Sequence, residues 1–250
     1  MRGLTVHELL EIWDRGQSLS PCGRAMLLLA SACPEYPHEQ ANSFTLGKRD
    51  ALLAHMRART FGPVVESVVT CPACEAMAQV AVDVRTIFSE PTQITSRDQT
   101  SRLPMEIHAG DFTVQAVAPT HCDIEAIPVT ATLEEGFRML LQRCILRAES
   151  RGRPCKVDDL PQDLCNLLEE RMADTDPQGD VQLSIHCPAC DHQWAVPFDM
   201  LAYFWSEIQL IARGLLRDIH VLASAYGWKE SDILALSTTR RRAYLELVGG

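Results

Sequence analysis

The sequence predicts an α+β protein, mostly helical, in which two β-hairpins clip an inserted α+β subdomain and a helical bundle ends the chain. Three observations carry that expectation. The tetrapeptide CPAC occurs twice, as Cys71-Pro72-Ala73-Cys74 and as Cys187-Pro188-Ala189-Cys190. Each copy follows a β-prone run, Val64-Val65-Glu66-Ser67-Val68-Val69 or Val181-Gln182-Leu183-Ser184-Ile185. Elsewhere, apolar residues recur at steps of three and four, bounded by capping residues, glycine and proline.

The elements follow in order. Thr5-Val6-His7-Glu8 is a capping box with Leu4 and Leu9 as its hydrophobic staple, opening a helix that Gly16 is expected to stop. Ser20-Pro21 opens a second helix with proline at its first position, running to Cys33 and ended by Pro34 and Pro37. A third follows Thr45 and closes at Phe61-Gly62. Its Lys48, Arg49, Arg57 and Arg59 read as a solvated basic face interrupted by Asp50, and His7, His38 and His55 read as surface histidines. After the first CPAC hairpin, residues 89–103 read as a loop. Met105–His108 and Phe112–Val117 form a hairpin around Ala109-Gly110-Asp111, followed by a short helical piece at 121–127.

Thr132-Leu133-Glu134-Glu135 is a second capping box, starting a helix with Phe137, Leu140, Leu141, Cys144 and Ile145 on one face. Residues 149–159 read as a charged linker. Leu164, Leu167, Leu168 and Met172 mark the next helix, ended at Asp176-Pro177. The longest helix is expected near 198–225, with Phe198, Leu201, Trp205, Ile208, Ala212, Leu215, Ile219 and Leu222 on its stripe. Phe204, Ile211, Leu216 and Val221 broaden that stripe, as in a core helix contacted from several sides or a helix with a partner groove. Gly227 is the expected C′ residue, followed by helices at 229–236 and 238–248. The organisation is therefore 1–63 helical, 64–88 first knuckle, 89–180 insert, 181–197 second knuckle and 198–250 helical.

The paired cysteines give the chemistry. A CxxC turn converges two thiolates on one ion at roughly 2.3 Å each, so one turn supplies half a tetrahedron. Two such turns complete it, and Cys71, Cys74, Cys187 and Cys190 are the expected ligands of one structural zinc ion in a two-knuckle zinc ribbon. Laying Cys71 on Cys187 extends the repeat, because Val80 then meets Val196, Asp83 meets Asp199 and Phe88 meets Phe204. Asp83 and Asp199 read as strand-to-helix caps. His186 and His192 beside the second knuckle read as non-ligands. Cys22, Cys33, Cys122, Cys144, Cys155 and Cys165 read as small buried hydrophobes or inert surface thiols.

Composition narrows the function classes. A formal charge of −10 argues against a general nucleic-acid binder, and the acidic residues around both knuckles have the wrong sign for one. No stretch approaches the roughly 20 apolar residues of a membrane helix. Met1-Arg2-Gly3 leads directly into an amphipathic pattern, so no signal peptide is expected and the ten cysteines suggest reduced thiols. A phosphate-cradling glycine loop, HExxH and a nucleophile elbow are missing from the sequence, so a non-enzymatic protein without a small-molecule substrate is expected.

The ends of the chain carry a resemblance. Leu9-Leu10-Glu11-Ile12-Trp13-Asp14-Arg15-Gly16, then Pro21 with Arg24-Ala25 and a leucine-rich helix, precede the first knuckle. The tail runs Ala223-Ser224-Ala225-Tyr226-Gly227-Trp228-Lys229-Glu230-Ser231-Asp232-Ile233-Leu234-Ala235-Leu236 and closes with Arg241-Arg242-Ala243-Tyr244-Leu245. This layout is similar to the T-even-type phage baseplate hub assembly protein family, in the branch found in phage-like contractile injection systems. The resemblance implies a non-enzymatic structural or chaperone-like protein of a contractile tail, with hub or spike proteins as partners and the bacterial cytoplasm as the place of assembly. It brings no catalytic residues and does not require zinc. Aromatic and arginine anchors dominate interfaces, so Trp205, Trp228, Arg241 and Tyr244 are the candidate partner contacts, with core packing the competing role for Trp205. The alternative functions are a zinc-ribbon nucleic-acid or transcription-associated module and a CxxC redox protein.

Overall fold

Thr5 and Glu8 satisfy each other's groups at the start of the first helix. The Thr5 N–H donates to Glu8 Oε2 at 2.8 Å and the Glu8 N–H to Thr5 Oγ1 at 3.3 Å, opening α1 (Val6–Gly16). The structure is a computed structural model that describes residues 1–32, 42–88 and 102–249. The expected end of the second helix at Cys33 and the prolines, His38, and most of the 89–103 loop lie outside the described residues. Gly16 is the last residue of α1, which ends there with Gln17 as its C-cap. A Cβ there would stand 2.2 Å from the Trp205 ring, so the glycine is needed for close approach.

Two further helices, α2 (Pro21–Ala32) and α3 (Leu46–Phe61, capped by Thr45), complete the N-terminal layer. The expected solvated basic face of α3 is corrected by the structure, because Arg49, Asp50, His55 and Arg57 are all buried. Partners distant in sequence make this possible. Arg57 forks onto Glu207, with Nε to Oε2 at 2.9 Å and Nη2 to Oε1 at 2.6 Å, and donates to the Val64 carbonyl at 2.7 Å. Arg49 donates to Asp50 Oδ1 at 2.7 Å and also meets His121 Nδ1. Burial pushes the Asp50 carboxyl up to about 6, while burial and then the Arg49 charge push His121 down to about 4.

The insert has its own core. Strands β3 (Met105–Ala109) and β4 (Phe112–Ala116) turn at Gly110, whose φ is 58°. Helix α6 (Leu133–Cys144) has the expected capping box between Thr132 and Glu135, and it follows the short helix α5 (His121–Glu125). The expected linker at 149–159 is instead partly strand. β5 (Ile145–Ser150) pairs antiparallel with β4, Val114 opposite Ala148, and β6 (Arg153–Pro154) completes a four-stranded sheet. Ile145 extends the helical apolar pattern but begins this strand, because pairing with β4 overrides the local period. Ile107, Val114, Leu141, Cys144, Leu164 and Leu168 pack together under α7 (Gln162–Thr175). Beyond α7, Asp176 fastens the insert to α3, accepting from the Gly47 N–H at 2.8 Å and the Thr45 hydroxyl at 3.0 Å.

The main core joins α1, α2 and α3 to the start of α8 (Met200–Tyr226), with Leu28, Leu53, Met56, Phe204 and Ile208 buried at its centre. Helices α1, α3, α9 (Glu230–Leu234) and α10 (Thr238–Gly249) all pack against α8. Its broad stripe is thus explained by contacts on several sides, apart from Leu216, which is exposed. Gly227 ends the helix at φ 68°, as the sequence predicts.

Candidate metal centre

The two CPAC sequences sit in hairpins of identical register. Strand β1 (Val64–Thr70) pairs antiparallel with β2 (Met77–Asp83), and β7 (Gln182–His186) pairs in the same sense with β8 (Gln193–Pro197). At the offset of 116 residues (187 − 71), Thr70 opposite Met77 becomes His186 opposite Gln193, and Glu66 opposite Ala81 becomes Gln182 opposite Pro197. The turns also match. The Cys71 N–H donates to the Ala76 carbonyl at 2.9 Å and the Glu75 N–H to the Cys71 carbonyl at 3.0 Å. The equivalent bonds from Cys187 to His192 and from Asp191 to Cys187 are 2.9 and 3.1 Å. Glu75 and Asp191 close the turns in the left-handed region, at φ 60° and 59°.

These turns bring four sulfurs together. The Sγ atoms of Cys71, Cys74, Cys187 and Cys190 all lie within 4.8 Å of one another, an arrangement that could hold a metal ion. Across the two hairpins, Cys71 meets Cys190 at 3.8 Å and Cys74 meets Cys187 at 3.6 Å. Four thiolates at roughly 2.3 Å from a tetrahedral ion would stand roughly 3.8 Å apart, so the cluster fits such an ion. Cys71 and Cys187 are buried, whereas Cys74 and Cys190 form the outer side. The Ala189 N–H donates to Cys187 Sγ at 3.4 Å, and this bond leads the causes that push the thiol down to about 7. His186 faces Asp191 at 3.3 Å and His192 stacks beside Trp194, so neither joins the four sulfurs.

The site is fixed to the core by repeat-related residues. Asp83 caps the short helix α4 (Val84–Ile87) through the Arg85 N–H, and Asp199 caps α8 through the Ala202 N–H. Val84 and Met200 follow these caps, Phe88 and Phe204 follow in turn, and all four are fully buried. One residue escaped the sequence reading. The Tyr203 hydroxyl donates to the Glu66 carbonyl at 2.8 Å and accepts from the Glu66 N–H at 3.0 Å, tying α8 to the first hairpin. Its neighbour Phe204 lies in the repeat, but nothing in the residue pattern marks a tyrosine there as a brace.

The candidate partner contacts separate into two groups. Trp205 is buried under Arg24, whose guanidinium lies 4.6 Å from the ring centroid, and Arg241 is buried with Asp218 at 3.3 Å. Trp228 and Tyr244 are half-buried and form an aromatic group with Tyr226, at centroid distances of 4.7 and 4.9 Å from Trp228 to Tyr226 and Tyr244.

Fold and cluster together define an α+β protein whose helical core carries four clustered cysteines that could hold a metal ion. The chain belongs to the family described as T4 bacteriophage base plate protein, whose match covers residues 17–205. That span includes both hairpins and all four clustered cysteines. It stops at Trp205, so the tail motif around Tyr226-Gly227-Trp228 lies beyond it. Neither the curated proteins nor the solved structures contain a match to the chain. Among the described residues, no helix is long and apolar enough to cross a membrane.

Proposed function

We propose that this protein is a non-enzymatic structural or chaperone-like component of the baseplate hub of a contractile, phage-like tail. The observation that carries the reading is the family match across residues 17–205. Its metal is zinc, held by Cys71, Cys74, Cys187 and Cys190. Four soft thiolates at these separations suit Zn²⁺, and a site with four protein ligands leaves no open position for a reacting water. The metal's contribution is therefore structural. It closes residues 102–180 on the helical core, since the half-sites lie on either side of that segment in the sequence.

Hub or spike proteins are the partners in this reading, and the bacterial cytoplasm is where assembly takes place. The aromatic group of exposed Tyr226 with half-buried Trp228 and Tyr244 is the part of the tail suited to anchor such a partner. Deleting the gene from a host that expresses the tail cluster tests the assignment. The expected result is tubes and sheaths without assembled baseplates, restored by the wild-type chain and not by Cys187→Ser/Cys190→Ser. Normal baseplates in the deletion strain would contradict the assembly role.

A further inference from the structure

A second pair of cysteines lies outside the metal centre. Cys22, at the start of α2, and Cys122, in α5, are separated by 100 residues, yet their sulfurs stand 2.9 Å apart. The sulfurs of the metal cluster keep 3.6 and 3.8 Å across the hairpins, the spacing expected around an ion. The Cys22–Cys122 distance is too short for that role and approaches the roughly 2.05 Å of a disulfide. Other ligands do not gather here: His121 Nδ1 is occupied by Arg49, and the clustered metal donors among the described residues are the four CPAC cysteines. The surroundings give the two thiols different access, because Cys22 is buried and Cys122 is partly exposed.

We propose that Cys22 and Cys122 are a redox-active pair that closes into a disulfide by exchange with a small-molecule disulfide such as oxidised glutathione. Attack starts at the accessible sulfur. Cys122, as its thiolate, bonds to one sulfur of the glutathione disulfide and breaks the S–S bond, releasing one glutathione thiolate. Cys22 then loses its proton to solvent and attacks the Cys122 sulfur of the mixed disulfide, and the second glutathione leaves as its thiolate. Two protein thiols are oxidised and one glutathione disulfide is reduced to two thiols, whose protons balance those lost by the cysteines. Burial pushes the Cys22 thiol up to about 12, consistent with its acting second.

The consequence follows from where the pair sits. Cys22 belongs to the helical core and Cys122 to a short helix of the insert, so the bond would staple the two together across a long loop. Cross-linking a loop of this length raises thermal stability when native geometry is kept, by roughly 5 °C or more in a chain of this size. This proposal does not depend on the metal or on the baseplate role.

The test exposes the full-length, metal-loaded protein to oxidised glutathione, blocks free thiols with an alkylating agent and maps peptides without reduction. The expected product is one cross-linked peptide pair containing Cys22 and Cys122, with the melting temperature raised and then restored by reductant. Cys22→Ser should instead accumulate a glutathione adduct at Cys122, and Cys122→Ser should show neither cross-link nor shift. Both thiols remaining alkylatable, or a stable adduct at Cys122 of the wild type, would overturn the proposal. So would cross-linking that engages the CPAC cysteines in place of this pair.

Discussion

The two CPAC units share everything needed to make a metal site and differ in the helix each one leads into. Both have the same hairpin register, the same turn bonds, an aspartate cap and a buried aromatic residue five positions later. After the first unit the helix lasts one turn, Val84–Ile87, and Pro91 stands shortly beyond it in the sequence. After the second, the helix continues for 27 residues to Tyr226, where Gly227 caps it. The repeated part therefore builds the site, and the unrepeated extension builds the fold. The long helix also reaches back to the first hairpin through Tyr203 at Glu66, and through Glu207 at Arg57 of α3, which in turn donates to the Val64 carbonyl, so the shorter unit is braced by the longer one.

This comparison can be broken by removing metal donors from one unit at a time. If the halves close one centre, Cys71→Ser and Cys187→Ser should each lower stability by on the order of 5 kcal/mol or more and loosen both hairpins. Hydrogen exchange resolved by peptide would show it, and protection retained in the unmutated hairpin would separate the halves. The buried aromatics come next. Phe88→Ala and Phe204→Ala each leave a cavity at a fully buried site, with an expected cost of about 3–5 kcal/mol in urea unfolding. A near-zero effect for Phe88 would show that the first unit is not integrated into the core.

The brace between the units is expected to matter less. Tyr203→Phe removes two hydrogen bonds to the Glu66 backbone, at a cost of about 1 kcal/mol, and should speed metal transfer to a chromogenic chelator. Unchanged transfer would mean that the bonds do not steady the first hairpin. The turns themselves give the smallest difference. Glu75→Gly relieves a left-handed non-glycine residue and should raise stability by about 1 kcal/mol, as read from the melting temperature. Asp191→Gly should gain less, because aspartate tolerates that region better. Equal gains would contradict this distinction.

The four-cysteine centre was legible because its ligands come as a local motif written twice, and so were the caps at Thr5, Thr132, Asp83 and Asp199. Each depends on residues a few positions apart. The features that stayed hidden depend on long-range contacts. Arg57 looks like surface charge until Glu207, 150 residues away, is placed beside it. Gly16 reads only as a helix end until the Trp205 ring fills the space where a Cβ would stand. Ile145 continues a helical apolar pattern until β4 supplies hydrogen bonds. Cys22 and Cys122 look inert because nothing local brings them together.

The central claim is that two half-sites make one metal centre. Its most direct test is the metal content of the purified chain by native mass spectrometry, at known oligomeric state, for wild type beside Cys71→Ser/Cys74→Ser and Cys187→Ser/Cys190→Ser. One zinc per chain, lost completely when either pair is replaced, is the predicted result. Wild-type protein without zinc, or zinc retained after one pair is removed, would contradict it.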